Sequence, residues 1–430
     1  MVKKILTYIF FGLVLAGLFL FLKENNVIYI SAELRENIPI LDNKILDFSP
    51  QKPLANPPET IKAIYLTNWS ANNEDRLSKT IQLIKDTELN ALIIDIKDFS
   101  GYLGYNTELE LPKKYNAIEL RIPQLNRLIK RLHDEGIYLI GRISVFQDQR
   151  LALAKPELAV HSKQALEKNY GVKPVSENSI LGENQSWDFS KVSTTWKDYK
   201  GLTWMDTASQ EVWDYNIAIA KEILDRGFDE VNFDYVRFPS DGNIDDTTHP
   251  FWDEKKLKTY VVRDFFKYLR DQLPLAKLSA DLFGLVTVNR DGLGIGQHLE
   301  YALPYFDAIA PMTYPSHYFK GFIGYENPSE HPYEVIKYSL DSAAQRMKQY
   351  KLSLYNALGT TTPISEFNFP IAKLRPFLQD FDLGADYDGL MIRKEIQAVY
   401  DVASTAPEFF DGWMLWNASN NYTREALLGE

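Results

Sequence analysis

Two carboxylates stand near the ends of apolar runs. Asp234 lies in FDEVNFDYVRFP (228–239) and Asp281 in SADLFG (279–284). Asn232 and Asp234 share strand parity and alternate with Val231, Phe233 and Tyr235. One face of that segment is therefore polar and the other bulky and apolar. An ionised carboxylate held where oxocarbenium charge develops, with a second carboxyl group as acid/base, is the chemistry of glycosidic bond cleavage. The pattern points to Asp234 as nucleophile or charge stabiliser and Asp281 as acid/base. The plainer reading of Asp234 is a cap on the following loop near Pro239 and Gly242.

Other apolar runs end in polar groups in the same way. ALIIDIKD (91–98) presents Asp95 and Lys97, whose shared parity lets both face inward. Either they contact a substrate or they close an ion pair. Arg142 follows from GRI (141–143). Tyr314 and His317 end APMTYPSHY (310–318), Gln379 and Asp380 end RPFLQDF (375–381), and Trp416 and Asn417 end GWMLWN (412–417). Asn232, Arg237 and Trp204 complete the candidate substrate contacts. Asp380 and Asp95 compete with Asp281 for the acid/base role. An aromatic ring such as Trp416 can serve as a sugar platform, although most rings fill cores.

Such groups converge only if the chain places the strand ends at one mouth. From Ile61 onward, short apolar runs alternate with amphipathic stretches, the pattern of βα units around a parallel sheet. The runs predict eight strands: Ala63–Thr67, Ala91–Lys97, Tyr138–Ile143, Glu230–Tyr235, Leu278–Leu282, Ala308–Thr313, Leu374–Gln379 and Trp413–Trp416. Leu352–Ala357 is an alternative seventh. The expectation is a (β/α)₈ TIM barrel, whose reacting groups sit at the C-terminal ends of its strands. The irregular stretch His161–Lys200 reads as a long insertion after strand three, on that face. One helix is marked by a capping box, Thr207 to Gln210, and by Gly227 as its left-handed exit.

Residues Ile5 to Leu22 carry no charge and follow Lys3 and Lys4. That length spans a bilayer, and the lysines favour a cytoplasmic N-terminus. The expected organisation is a cytoplasmic tip and transmembrane signal anchor over 1–24, a proline-bearing extracytoplasmic linker over 25–59, and the barrel over 60–430. A cleaved signal peptide, giving a secreted protein, is the alternative. Both put the barrel outside the cytoplasm. The net charge of −11 disfavours a nucleic-acid partner. With no cysteine, thiol chemistry and cysteine–metal sites are excluded. None of the six histidines (His133, His161, His249, His298, His317, His331) has a ligand partner at close spacing, so neither a metal nor another cofactor is expected.

Read together, IDIKDFSG (94–101), GRISVFQD (141–148), FDEVNFDYVRFPSDG (228–242), SADLFG (279–284), APMTYPSHY (310–318), RPFLQDF (375–381) and GWMLWNASNNY (412–422) resemble a bacterial putative glycoside hydrolase domain family, long catalogued as a domain of unknown function. The resemblance covers about residues 60 to 425. It implies a TIM-barrel relative of known glycosidases that carries a secretion or anchor segment. The function expected is cleavage or transglycosylation of a cell-surface polysaccharide or oligosaccharide. A non-catalytic, surface-anchored carbohydrate-binding barrel is the alternative.

Overall fold

A computed structural model of the chain describes residues 47–171, 193–359 and 369–429. The predicted anchor, residues 5–22, lies outside them. No helix among the described residues is long and apolar enough to cross a membrane.

Eight parallel strands close into a barrel. They are β1 (Ile61–Leu66), β2 (Ala91–Lys97), β3 (Tyr138–Ser144), β4 (Glu230–Asp234), β5 (Leu278–Phe283), β6 (Ala308–Met312), β7 (Phe377–Gln379) and β8 (Gly412–Trp416). Neighbours pair in chain order, and β8 returns to β1 through Ile61 opposite Gly412. Every predicted strand is present within a few residues. β7 is shorter because Pro376, which has no N–H, separates it from the two-residue strand Lys373–Leu374. The alternative seventh strand, Leu352–Ala357, is helical.

The longer helices are α1 (Glu74–Lys85), α2 (Leu125–Asp134), α3 (Gln210–Asp225), α4 (Lys258–Gln272), α5 (Pro332–Leu358) and α6 (Gly389–Thr405). Only a short turn, Leu299–Ala302, stands between β5 and β6 in place of a long helix. Alternation along the strands separates two cores. Residues such as Ile94, Leu139, Phe233 and Leu415 face outward into the helix layer, whereas Ala63, Ile93, Ile140, Ala310 and Met414 fill the lumen. All seven residues of β2 are buried, which explains why its sequence reads as an apolar run and not as a clean alternation.

One local expectation needs correction. Ser209, not Thr207, precedes α3, and it makes no side-chain cap. Thr207 instead turns its hydroxyl to the carbonyl of Arg237. Gly227 does take a positive φ of 110°, and a Cβ there would meet the carbonyl oxygen of Gln51 at 2.7 Å.

That contact is one of several by which residues 47–59, the described part of the expected linker, form a strap against the barrel domain. Gln124, which precedes α2, offers no side-chain cap. Asp47 supplies it from the strap, accepting from the backbone N–H groups of Asn126 at 2.8 Å and Arg127 at 3.0 Å. Further on, the Leu54 N–H donates to Asp229 at 2.6 Å.

The insertion after β3 is partly regular. His161–Ser162 pairs antiparallel with Thr247–Thr248, and a helix follows over Lys163–Tyr170. Residues 172–192 lie outside the described chain.

Candidate active site

Lumen-facing residues stack in layers from the N-terminal to the C-terminal end. At the lower layer, Arg375 binds Glu230 through contacts of 2.8 and 3.0 Å. Glu230 also accepts from Ser279 at 2.5 Å and from Tyr138 at 3.2 Å. This pair is almost fully buried and closes the bottom. Glu230 shares parity with Asp234 but sits two pleat repeats below it, with Asn232 between, so its charge is spent on structure.

The upper layer is built around one guanidinium. Arg142 of β3 donates Nη1 to Asp95 of β2 at 2.6 Å and Nη2 to Asp234 of β4. Its Nε lies 3.7 Å from Asp281 of β5. Three strands, β2, β4 and β5, thus bring three carboxylates to one cation on β3. Asp95 also accepts from the Tyr65 hydroxyl of β1 at 2.5 Å, and Asp281 from the Asn232 amide at 2.8 Å. Asp234 keeps 7% of its surface exposed and Asp281 only 1%.

One cation cannot balance three carboxylates in a dry site. Burial pushes Asp281 well above the usual carboxylate range, and repulsion from Asp234 adds to it. Burial also raises Asp95, against the pull of Arg142. Arg142 is itself held charged: desolvation opposes the cation, but Asp234 and Asp95 outweigh it. The proton that must reside in this cluster is best placed on Asp281, which has the longest contact to Arg142.

The backbone at this point is strained. Tyr235 takes a φ of 53°, and its N–H donates to the Asp234 carboxylate at 2.5 Å. A left-handed aromatic residue is costly, and it stays in that conformation because its surroundings fix it.

Above the cluster, Trp416 stacks on Tyr65 at 4.0 Å between ring centres, and the Arg142 guanidinium lies 5.2 Å from the Trp416 ring. Trp416 also lines a cleft of about 560 Å³, with Tyr314, His317, Asp380, Phe381 and Asn417 among its walls. The carboxylates therefore lie beneath the aromatic side of an open cleft.

The predicted residues divide accordingly. Asp95, Arg142, Asn232, Asp234 and Asp281 meet in one cluster, and Tyr314, His317, Asp380, Trp416 and Asn417 line the cleft. Asp380 is committed to the backbone N–H of Thr423 at 3.0 Å and its hydroxyl at 2.8 Å, so it anchors the loop after β8. Asn417 supports the same loop, donating to Asn421 at 2.6 Å. Gln379 is fully buried; it accepts from the Ser316 hydroxyl at 2.8 Å and donates to the Phe381 carbonyl at 2.9 Å.

Lys97, Trp204 and Arg237 are not among the walls of that cleft. A register shift after Asp95 sets Lys97 opposite Ile143, turning it out of the lumen. There it pairs with Asp148 at 2.6 Å, both side chains fully sealed, under the ring of Tyr215. Trp204 is fully buried, with the Arg237 guanidinium 4.6 Å from its ring. Arg237 is occupied by the Phe238 carbonyl at 3.0 Å and Ser240 at 3.1 Å.

The reading of the sequence missed Tyr65. Its signal was lumen parity near the end of β1, but it carries no charge and the search favoured charged strand ends.

A closed parallel barrel with acidic groups at its C-terminal mouth is the (β/α)₈ TIM-barrel architecture, which by itself leaves the chemistry open. The chain belongs to the putative glycosyl hydrolase domain family, whose model matches residues 63–179 and 171–422. It is accordingly a glycosidase by family. No curated protein matches the chain. A hypothetical protein from Ruminiclostridium thermocellum is 34% identical over 51% of this chain and 96% of its own, with a TM-score of 0.41. The glycoside hydrolase domain of PgaB (BpsB) from Bordetella bronchiseptica aligns at 12% identity over 84% of this chain and 95% of its own, with a TM-score of 0.51. That likeness speaks for the fold alone. An α-galactosidase from Thermus thermophilus, in complex with p-nitrophenyl α-D-galactopyranoside, aligns at 12% identity over 84% of this chain and 60% of its own, with a TM-score of 0.41.

Proposed function

We infer that this chain cleaves, or transfers, a glycosidic bond of a polysaccharide outside the cytoplasm. Asp234 acts as nucleophile or charge stabiliser and Asp281 as acid/base. The observation that carries this reading is one arginine shared by three carboxylates from β2, β4 and β5 and lying against Trp416, a wall of the aromatic cleft. Arg142 pairs with Asp234 and holds its side chain in place, setting a carboxyl group where an oxocarbenium ion would develop. Asp281, pushed up by burial and by its neighbour, carries the proton that a leaving oxygen needs. Asp95, fixed by Tyr65 and Arg142, sets the position of the guanidinium. The apolar run 5–22 supports a membrane anchor with the barrel outside the cell; secretion after cleavage of that run is the alternative.

The test is a panel of soluble glycans with product analysis, on the chain from residue 47 onward. Product release that Asp234→Asn abolishes, with folding and glycan binding kept, supports the assignment. Full turnover by that variant removes Asp234 from the mechanism. Saturable binding without product from any glycan would favour a purely sugar-binding barrel.

A further inference from the structure

Trp69 stands on the same face as the mouth, two residues beyond Thr67 at the end of β1. It is 58% exposed, unusual for an indole. Its position is nevertheless fixed. The Arg121 guanidinium lies 5.1 Å from its ring centre, and Arg121 is itself almost buried, held by Asp98 and Glu119. One side of Trp69 is thus backed by a clamped, planar cation, while much of the ring meets solvent.

Two connections run from the neighbours of this ring to two clefts. On one side, Arg76 of α1 donates to the carbonyls of Ser419 and Asn420 and to the Asn421 side chain, each at 3.0 Å. Thr67 donates its N–H to Asn420 at 3.0 Å. Ser419 and Asn421 are walls of the mouth cleft. On the other side, Arg121 also lies 5.8 Å from the ring of Tyr102, which packs on Arg150 at 4.9 Å. Tyr102 and Arg150 line a second cleft of about 400 Å³.

We propose that Trp69 is a sugar-stacking platform that joins these two clefts into one track, so that the occupant is a polysaccharide chain and not a short oligosaccharide. A pyranose presents an apolar C–H face to an aromatic ring while its hydroxyls stay wet, which suits an indole with one face backed and the other open. The ordered backing lowers the entropy lost on binding. The proposal rests on the carbohydrate reading of the mouth but not on turnover there.

The test uses the chain carrying Asp234→Asn, so that no polymer is consumed. It is run by native electrophoresis through gels containing hydroxyethyl cellulose, xylan, galactomannan or chitosan. At least one polymer should retard it. Adding Trp69→Ala should weaken that retardation about tenfold, as loss of an aromatic anchor does, with the melting temperature unchanged. Trp69→Phe should restore most of it. Equal retardation with and without Trp69→Ala, or no retardation by any polymer, overturns the proposal. Polymer binding that depends on Trp69 in a wild-type chain releasing no product would sink the hydrolase assignment and leave the platform standing.

Discussion

The Nε of Arg142 stops 3.7 Å from Asp281, beyond hydrogen-bond reach, although the same guanidinium holds Asp95 at 2.6 Å. The least compensated carboxylate is therefore the most buried of the three. That asymmetry gives the cluster two kinds of acid: Asp234, paired with Arg142 and partly open, and Asp281, buried and pushed toward its protonated form.

Asp281→Asn should lower kcat by about 10²- to 10⁴-fold, the range of an acid/base contribution. The wild-type rate should fall on the alkaline side as Asp281 loses its proton, and the variant's residual rate should lack that limb. A pH–rate profile of both chains checks this; an unchanged alkaline limb in the variant assigns the proton elsewhere.

The same residue links folding to pH. Its folded pKa lies above the unfolded value of roughly 3.9. In the window between them the native state holds a proton that the unfolded chain has released, so stability falls as pH rises. Asp281→Asn removes that loss. The melting temperature of the variant relative to wild type should climb from pH 4 toward neutrality. A constant difference across that window contradicts the raised pKa.

Arg142→Met leaves three buried carboxylates without their cation. The expected cost is about 3–5 kcal/mol of stability at neutral pH, smaller in acid, where protonation relieves the repulsion. Urea unfolding at two pH values measures it, and equal losses at both would deny the cluster its charge.

Lys97→Met tests the correction to the sequence reading. Asp148 would be left buried and uncompensated, again costing about 3–5 kcal/mol. Glycan affinity of the protein that remains folded should not change. Lost affinity in a fully stable variant would return Lys97 to the binding site.

The strap gives a prediction without chemistry. A chain beginning at residue 60 lacks the Asp47 cap on α2 and the Leu54 contact to Asp229. It should be less stable than one beginning at residue 47 by at least about 1 kcal/mol, the worth of one N-cap. Matched denaturation midpoints would show that the strap adds nothing.

The sequence by itself determined the barrel, the strand positions and the parity that aims Asn232, Asp234 and Asp281 inward. Those follow from hydrophobic period and from polar residues interrupting it, which are local properties. Tertiary structure decided which polar strand ends share a partner. Asp95 and Lys97 have the same parity on paper, yet a register shift against β3 sends one to Arg142 and the other to Asp148. Asp380 looked like a catalytic rival until the loop after β8 closed over it. Glu230 lies on the lumen face beside the chosen carboxylates, but its depth gives it to Arg375. Depth, register and loop closure arise from contacts between segments far apart in the chain, and no single run of residues encodes them.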